Sequence, residues 1–149
     1  MLRWLRKLFD LGGGRSTAGD YGEQLAADWL RRERGFVIVT RNWRSPRDRR
    51  DELDLVCRDR EVLVFVEVKA RAAGALVAGF YAVDRRKKRV LRRAISAYLA
   101  RLRAKPHTFR FDMVEVTLPP GADGKHNTDP PPVIRHFENV PLFSKHFRP

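Results

Sequence analysis

Two acids and a lysine set in apolar runs are the residues of this chain best suited to chemistry. In the run Val64-Phe65-Val66-Glu67-Val68-Lys69, a β-strand would alternate its side chains between two faces, which puts Glu67 and Lys69 on one face. The apolar residues around them indicate a central, mostly buried strand. Burying a carboxylate or an ammonium is costly unless it is paired or bound to a metal, so this strand predicts a polar site inside an apolar sheet.

A second strand just upstream would bring another acid, Asp54, to the same face. We expect a two-residue turn at Asp59-Arg60, which sets Asp54 opposite Phe65. The same turn sets Glu52 opposite Glu67. Diagonal neighbours in an antiparallel pair lie about 7–8 Å apart, so Asp54 can reach toward Glu67. A turn one residue longer or shorter would reverse the faces.

Two carboxylates that converge from adjacent strands suit a hard divalent cation such as Mg²⁺, which keeps several waters for chemistry. A lysine beside them, here Lys69, can polarise a water or stabilise the charge that develops on a phosphate. The structural alternative is an ion pair between Glu67 and Lys69, with Asp54 accepting hydrogen bonds at a strand end. We favour the chemical interpretation because all three residues lie on strands predicted to be buried.

The elements that must position these residues follow from hydrophobic periodicity. A first helix is predicted to begin near Thr17, where Thr17 and Asp20 have capping-box spacing, and Gly35 is placed to end it. A second helix with an apolar stripe is predicted over residues 84–102. Strands are predicted over residues 36–43, 52–58, 62–71, 109–118 and 133–137. The order α-β-β-β-α-β-β predicts an α/β fold, a mixed sheet flanked by helices.

Length and composition limit the class of protein. A chain of 149 residues, 43% of them hydrophobic, has the size of one domain, and no apolar run is long enough to cross a bilayer. Cys57 is the only cysteine, which excludes an internal disulfide and favours the cytoplasm. Residues 1–16 are predicted as a basic amphipathic arm with a glycine-rich linker, residues 17–149 as the domain, and residues 119–132 as a flexible loop within it.

Positive charge indicates the partner. Lys and Arg number 31 against 18 Asp and Glu, a formal net charge of +13 that should attract polyanions. Residues 85–105 contain ten Lys or Arg and no acid, which suits phosphate contacts without base readout. We therefore predict a nucleic acid, most simply DNA, as the partner. The candidate contact residues are Arg41, Arg44, Arg71, Arg85, Arg86, Lys87, Lys88, Arg89, Arg92 and Arg93.

These residues resemble two known groups of proteins. Asp54 followed by Glu67-Val68-Lys69 resembles the split D…(D/E)xK signature of the restriction-endonuclease-like superfamily. A longer series over residues 19–143 resembles the YraN-like family, small bacterial proteins considered similar to archaeal Holliday-junction resolvases. The motifs of that series are, in order, Gly22-Glu23, Arg41-Asn42-Trp43-Arg44, Glu52-Leu53-Asp54-Leu55, Phe65-Val66-Glu67-Val68-Lys69-Ala70-Arg71, Val83-Asp84 and Arg110-Phe111-Asp112.

The resemblance implies a role for each matching residue and a restriction-endonuclease-like fold. Asp54 and Glu67 would bind Mg²⁺ or Mn²⁺, with the Val68 carbonyl as an additional ligand. Lys69 would activate or position the attacking water. Glu23 on the first helix would complete the site through a metal-bound water.

The sequence departs from the family pattern at three positions. Asp51 stands where a glycine usually occurs, Lys88 where a glutamine often occurs, and Leu53 where a proline precedes the catalytic Asp. None of these changes removes a proposed catalytic side chain, but Asp51 adds negative charge near the metal ligands.

The hypothesis from sequence is a metal-dependent endonuclease that acts on branched or structured DNA. Cutting two symmetric strands, as junction resolvases do, implies a homodimer. One alternative is a non-catalytic nucleic-acid-binding module on the same fold. A second is an adaptor held at an anionic membrane by residues 1–11, although membrane association is not what we expect.

Overall fold

The protein is described here by a computed structural model that covers residues 18–74, 85–122 and 130–147. Two helices and five strands follow one another in this part of the chain, in the predicted order. The helices are α1 (Ala18–Arg34) and α2 (Arg85–Arg101), and the strands are β1 (Val37–Arg44), β2 (Glu52–Asp59), β3 (Val62–Ala72), β4 (Thr108–Leu118) and β5 (Val133–Phe137). Neither of these helices is long and apolar enough to cross a membrane. The predicted arm over residues 1–16, the cap residue Thr17 and residues 123–129 of the predicted loop lie outside the described residues.

The strands form one mixed sheet in the order β1-β2-β3-β4-β5. Neighbouring strands run antiparallel except β3 and β4, which are parallel. A parallel pair needs a long crossover connection, and the connection between β3 and β4 contains α2. The architecture is the predicted α/β fold, a restriction-endonuclease-like mixed sheet flanked by helices.

The hairpin between β2 and β3 turns one residue later than predicted. Asp59 pairs with Val62, so the turn consists of Arg60 and Glu61. Arg60 has a φ of +54°, a left-handed conformation that helps the chain to reverse here. The predicted turn at Asp59-Arg60 is wrong because the chain stays extended through Asp59.

This later turn changes the partners of the predicted site residues but not their faces. Val56, and not Asp54, lies opposite Phe65. The next pair along the hairpin is Leu55 with Val66. One more step in the same register brings Asp54, and not Glu52, toward Glu67, so the predicted pairing of Glu52 with Glu67 is also wrong. The register is displaced by two residues, and a displacement by two leaves each side chain on its predicted face because the period of a strand is two.

Each face of the sheet is covered by one helix. α1 packs on the face that carries Val66 and Val68. α2 packs on the opposite face, which carries Phe65. Because side chains alternate along β3, Glu67 and Lys69 belong to the face covered by α2.

α1 approaches the sheet closely at Gly22. A Cβ on Gly22 would lie 2.5 Å from the Cβ of Ala70, so a glycine is needed for α1 to lie this close to β3. At the other end, Gly35 has a φ of +68° and ends the helix as predicted. The Phe36 N–H then donates to the Leu30 carbonyl over 3.0 Å.

Candidate active site

Asp54 and Glu67 lie next to each other on β2 and β3, nearly excluded from solvent. Asp54 is 6% exposed and Glu67 is 3% exposed. The carboxylate of Asp54 reaches across to β3, where its Oδ2 accepts a hydrogen bond of 2.9 Å from the Val68 N–H. This bond fixes the direction of the Asp54 side chain. The structure thus brings together the two acids that the sequence proposed as metal ligands.

A lysine from α2 completes this group. Nζ of Lys87 lies 2.8 Å from Oε1 of Glu67, and the Lys87 side chain is 30% exposed. Burial lowers the pKa of Lys87, but the negative charges of Glu67, Asp54 and Glu52 outweigh that effect and raise the pKa above its usual range. Lys87 therefore stays an ammonium, held by a group of carboxylates.

The sequence assigned Lys87 to the nucleic-acid surface and missed this ion pair. A signal for it was present in the helical spacing of α2. Lys87 precedes Leu91 by four residues and Ala94 by seven, and both are buried against the sheet. A residue at that spacing lies on the sheet-facing stripe of the helix.

The carboxylates fit a hard divalent cation in their chemistry. Both are oxygen donors, and Oε2 of Glu67 is buried with no hydrogen-bond partner among the described residues. That oxygen has lone pairs available to a ligand. The described residues contain no group of three His, Cys, Asp or Glu side chains placed to hold a metal. Two carboxylates with water in the remaining positions is a common arrangement for Mg²⁺, and the Val68 carbonyl as a further ligand stays a prediction.

Lys69 lies half-buried on the same face as Glu67. Burial lowers the pKa of Lys69, and the neighbouring positive charge of Arg71 lowers it further. Within the described part of the chain Glu67 pairs with Lys87 and not with Lys69. The ion pair of Glu67 that the structural alternative expected with Lys69 is thus made with Lys87, and Asp54 accepts a hydrogen bond as that alternative also expected.

Glu23 is buried in α1, and α1 packs on the other face of the sheet. The face that carries Asp54, Glu67 and Lys87 is covered by α2. The role of Glu23 as a further acid of the site stays a prediction.

Comparison with known proteins assigns the chain to a family. Residues 22–116 match the model of the uncharacterised protein family UPF0102. A UPF0102 protein of Anaeromyxobacter dehalogenans is 46% identical over 126 residues, which is 85% of this chain and 84% of the relative. A UPF0102 protein of Trichlorobacter lovleyi is 36% identical over 131 residues, or 87% of this chain and 94% of the relative. The chain belongs to the UPF0102 family. The predicted membership of the YraN-like family is thereby confirmed.

The UPF0102 match contains the acidic group and α2 in full, since both lie within residues 22–116. The match ends within β4 and does not include β5. The relatives are named for their family and not for an activity.

Several of the cations predicted to bind nucleic acid are held by partners within this UPF0102 protein. Nη1 of Arg41 donates to Oε1 of Gln24 over 2.7 Å. Nε of Arg44 lies 3.1 Å from Oε2 of Glu52. Nε of Arg92 donates to the Leu142 carbonyl over 2.6 Å. These contacts tie the three cations to the domain.

Arg93 accounts for the unusual acid that precedes β2. Nη2 of Arg93 lies 2.7 Å from Oδ1 of Asp51, which is 5% exposed. The negative charge that Asp51 adds near the site is thus offset by a cation of α2. This pair also anchors α2 to the start of the hairpin that carries the acids.

The remaining cations of the first turns of α2 face solvent. Arg85, Arg86 and Arg89 are exposed and Lys88 is half-exposed. None of these four forms an ion pair with the described residues. Arg71, at the end of β3, is half-buried, and its Nη2 has no hydrogen-bond partner in the described part of the chain. Cations that form no ion pair with the described residues therefore flank Lys87 along α2.

Proposed function

We propose that this protein is a Mg²⁺- or Mn²⁺-dependent endonuclease that hydrolyses phosphodiester bonds in branched or structured DNA. The observation that carries the proposal is the pair of adjacent buried carboxylates beneath a helix whose first turn is basic. Asp54 and Glu67 supply hard oxygen ligands. The cations at the start of α2 supply phosphate contacts. The two features meet at Lys87, which belongs to α2 and touches Glu67.

The side chains divide the work of hydrolysis. Asp54 and Glu67 would hold the cation, which when bound supplies charge stabilisation for the attacking water and the leaving oxygen. The Val68 N–H keeps Asp54 turned toward β3. Lys69, which lies on the same face as Glu67, would position the attacking water.

The preference for DNA rests on charge and on the family resemblance. A net charge of +13 and the exposed cations of α2 favour a polyanion without selecting its sequence. Branched substrates and a homodimer follow from the resemblance to junction resolvases, because two symmetric cuts need two sites.

The experiment is a cleavage assay with four labelled substrates: four-way junction, flap, single-stranded and duplex DNA. The purified full chain is incubated with Mg²⁺, Mn²⁺ or EDTA beside Glu67→Gln and Glu61→Gln. Glu61 lies in the hairpin turn away from the acids, so Glu61→Gln controls for the loss of one carboxylate. We expect metal-dependent products from the wild type and Glu61→Gln, and none from Glu67→Gln. We expect all three proteins to bind DNA nearly equally.

Metal-dependent cleavage that persists in Glu67→Gln at the wild-type rate would contradict the assignment. Equal binding without cleavage by any protein would favour the second candidate, a non-catalytic nucleic-acid-binding module. The contact between Lys87 and Glu67 supports that candidate, because an ammonium already neutralises the acid. A binding module predicts that log K falls by roughly 0.9 per phosphate neutralised on duplex DNA as log salt rises, with no products.

A further inference from the structure

The ion pair between Lys87 and Glu67 involves one of the two proposed metal ligands. We propose that Lys87 is a displaceable counter-ion, which neutralises Glu67 while no divalent cation is bound and turns to a substrate phosphate when a cation takes its place. This inference rests on the proposed metal site. It makes Lys87 a positioning residue that links metal binding to phosphate binding.

Burial explains why Glu67 needs a counter-ion. The side chain of Glu67 is 3% exposed, and its nearest ionic partner among the described residues is Lys87 at 2.8 Å. A buried carboxylate without a compensating charge is strongly destabilising. The ammonium of Lys87 thus performs, in the metal-free protein, the neutralisation that a divalent cation would perform.

The position of Lys87 explains why it can leave. Its side chain is 30% exposed and belongs to the third residue of α2, so the flexible stem can swing toward solvent without moving the helix. Helix N-termini carry a partial positive charge that repels cations. Arg85, Arg86, Lys88 and Arg89 surround it in sequence and add to that repulsion. The carboxylates of the site hold the ammonium inward.

Electrostatic repulsion prevents the ammonium of Lys87 and a divalent cation from binding Glu67 together. An ammonium and a divalent cation within a few ångströms repel each other strongly in a poorly solvated site. Oε2 of Glu67, which has no hydrogen-bond partner among the described residues, gives an entering cation a first ligand while Lys87 still holds Oε1. When both oxygens of Glu67 bind the cation, the ammonium is released. The exposed cations next to Lys87 in α2 form a surface on which phosphates can bind.

The test measures metal affinity in the DNA-free protein, where cleavage plays no part. Mn²⁺ is titrated into the full-length chain and the free ion is followed by electron paramagnetic resonance. The proteins are the wild type, Lys87→Met and Lys105→Met. Lys105 lies past the other end of α2, where its Nζ donates to the Leu99 carbonyl, so Lys105→Met removes an equal charge away from the acids. We expect Lys87→Met to bind Mn²⁺ about tenfold more tightly, because no ammonium competes, and Lys105→Met to match the wild type.

Thermal unfolding supplies a second readout. Lys87→Met should melt at a lower temperature than the wild type in EDTA, because Glu67 loses its counter-ion. Added Mn²⁺ should raise the melting temperature of Lys87→Met by more than it raises that of the wild type. If Lys87→Met does not fold, Lys87→Gln, which keeps a hydrogen-bond donor near Glu67 without the charge, is measured in its place with the same expectation.

Mn²⁺ binding that is unchanged or weaker in both Lys87 variants would overturn the inference and leave Lys87 a fixed structural partner. Absence of Mn²⁺ binding by every variant would overturn the inference together with the metal site. Tighter binding in Lys87→Met by a protein that cuts no DNA would support the counter-ion role and contradict only the nuclease proposal. The two proposals therefore fail in distinguishable ways.

Discussion

Two buried acids on neighbouring strands of the sheet, Glu67 on β3 and Asp112 on β4, have opposite surroundings. Asp112 is fully buried and both of its oxygens accept hydrogen bonds. Its donors are Nε of Arg110 at 3.0 Å, Nε2 of His136 at 2.8 Å and the Asn139 N–H at 2.9 Å. Glu67 has one ammonium at 2.8 Å and one oxygen without a hydrogen-bond partner among the described residues.

The partners of Asp112 show what a structural charge needs. Arg110 also reaches Oδ2 of Asp59 over 3.0 Å, so the network joins β2 and β4, and His136 extends it to β5. The atoms of this network without a hydrogen-bond partner in the described chain are nitrogens of Arg110 and His136, not oxygens of Asp112. A buried carboxylate with its hydrogen bonds made holds the fold together. One that keeps a spare lone pair is available to a ligand.

The largest effect we predict is on the structural acid. Asp112→Asn should lower the free energy of unfolding by about 3 kcal/mol, because the mostly buried Arg110 would lose one of its two carboxylate partners and keep only Asp59, and His136 would lose its partner. Urea unfolding followed by circular dichroism measures this change. A loss below about 1 kcal/mol would contradict the assignment of Asp112 as a structural acid and of Glu67 as one available to a ligand.

The pH dependence of stability should follow Asp112 as well. Burial alone would raise the pKa of Asp112, but the hydrogen bonds from His136, Arg110 and the Asn139 N–H outweigh burial and hold the pKa below its usual 3.8. A carboxyl with a pKa lowered by folding stabilises the native state above its unfolded pKa, and this contribution is lost as the pH falls through the folded pKa. The urea midpoint of the wild type should therefore fall as the pH drops below 3.8, and that of Asp112→Asn should fall less. Parallel curves for the two proteins would contradict this assignment.

The smallest effect we predict is on the acid of the candidate site. Glu67→Gln should change the free energy of unfolding in EDTA by less than about 1 kcal/mol. The released Lys87 side chain can turn to solvent, and a neutral amide is cheaper to bury than a carboxylate. The same urea experiment, run beside Asp112→Asn, measures the difference. A loss as large as that of Asp112→Asn would make Glu67 a structural acid and weaken the proposed function.

Much of the fold could be predicted from the sequence because its signals are local. The alternation in β3 and the apolar stripe of α2 depend only on neighbouring residues, and the observed elements match them closely. Gly35 ends α1 for an equally local reason, its positive φ. The acids and Lys69 were assigned to one face on the same basis.

The hairpin shows where local signals stop. The sequence has no Gly or Asn at the turn, so its placement at Asp59-Arg60 depended on counting alone. The structure moves the turn to Arg60 and Glu61. The side chains kept their predicted faces because the register of β2 against β3 was displaced by an even number of residues. A displacement by an odd number would have put Asp54 and Glu67 on opposite faces.

The sequence by itself determined the strands, the helices, the excess of positive charge and the face shared by Glu67 and Lys69, since strand and helix periods are properties of the local chain. Only the tertiary structure decided which cation meets Glu67. Lys87 is 20 positions away along the chain, and its contact depends on how α2 lies over the sheet. The same packing separated the cations tied to the domain from the exposed ones at the start of α2 that form no ion pair with the described residues. Charge can be counted from a sequence, but the partner of a charge is set by packing.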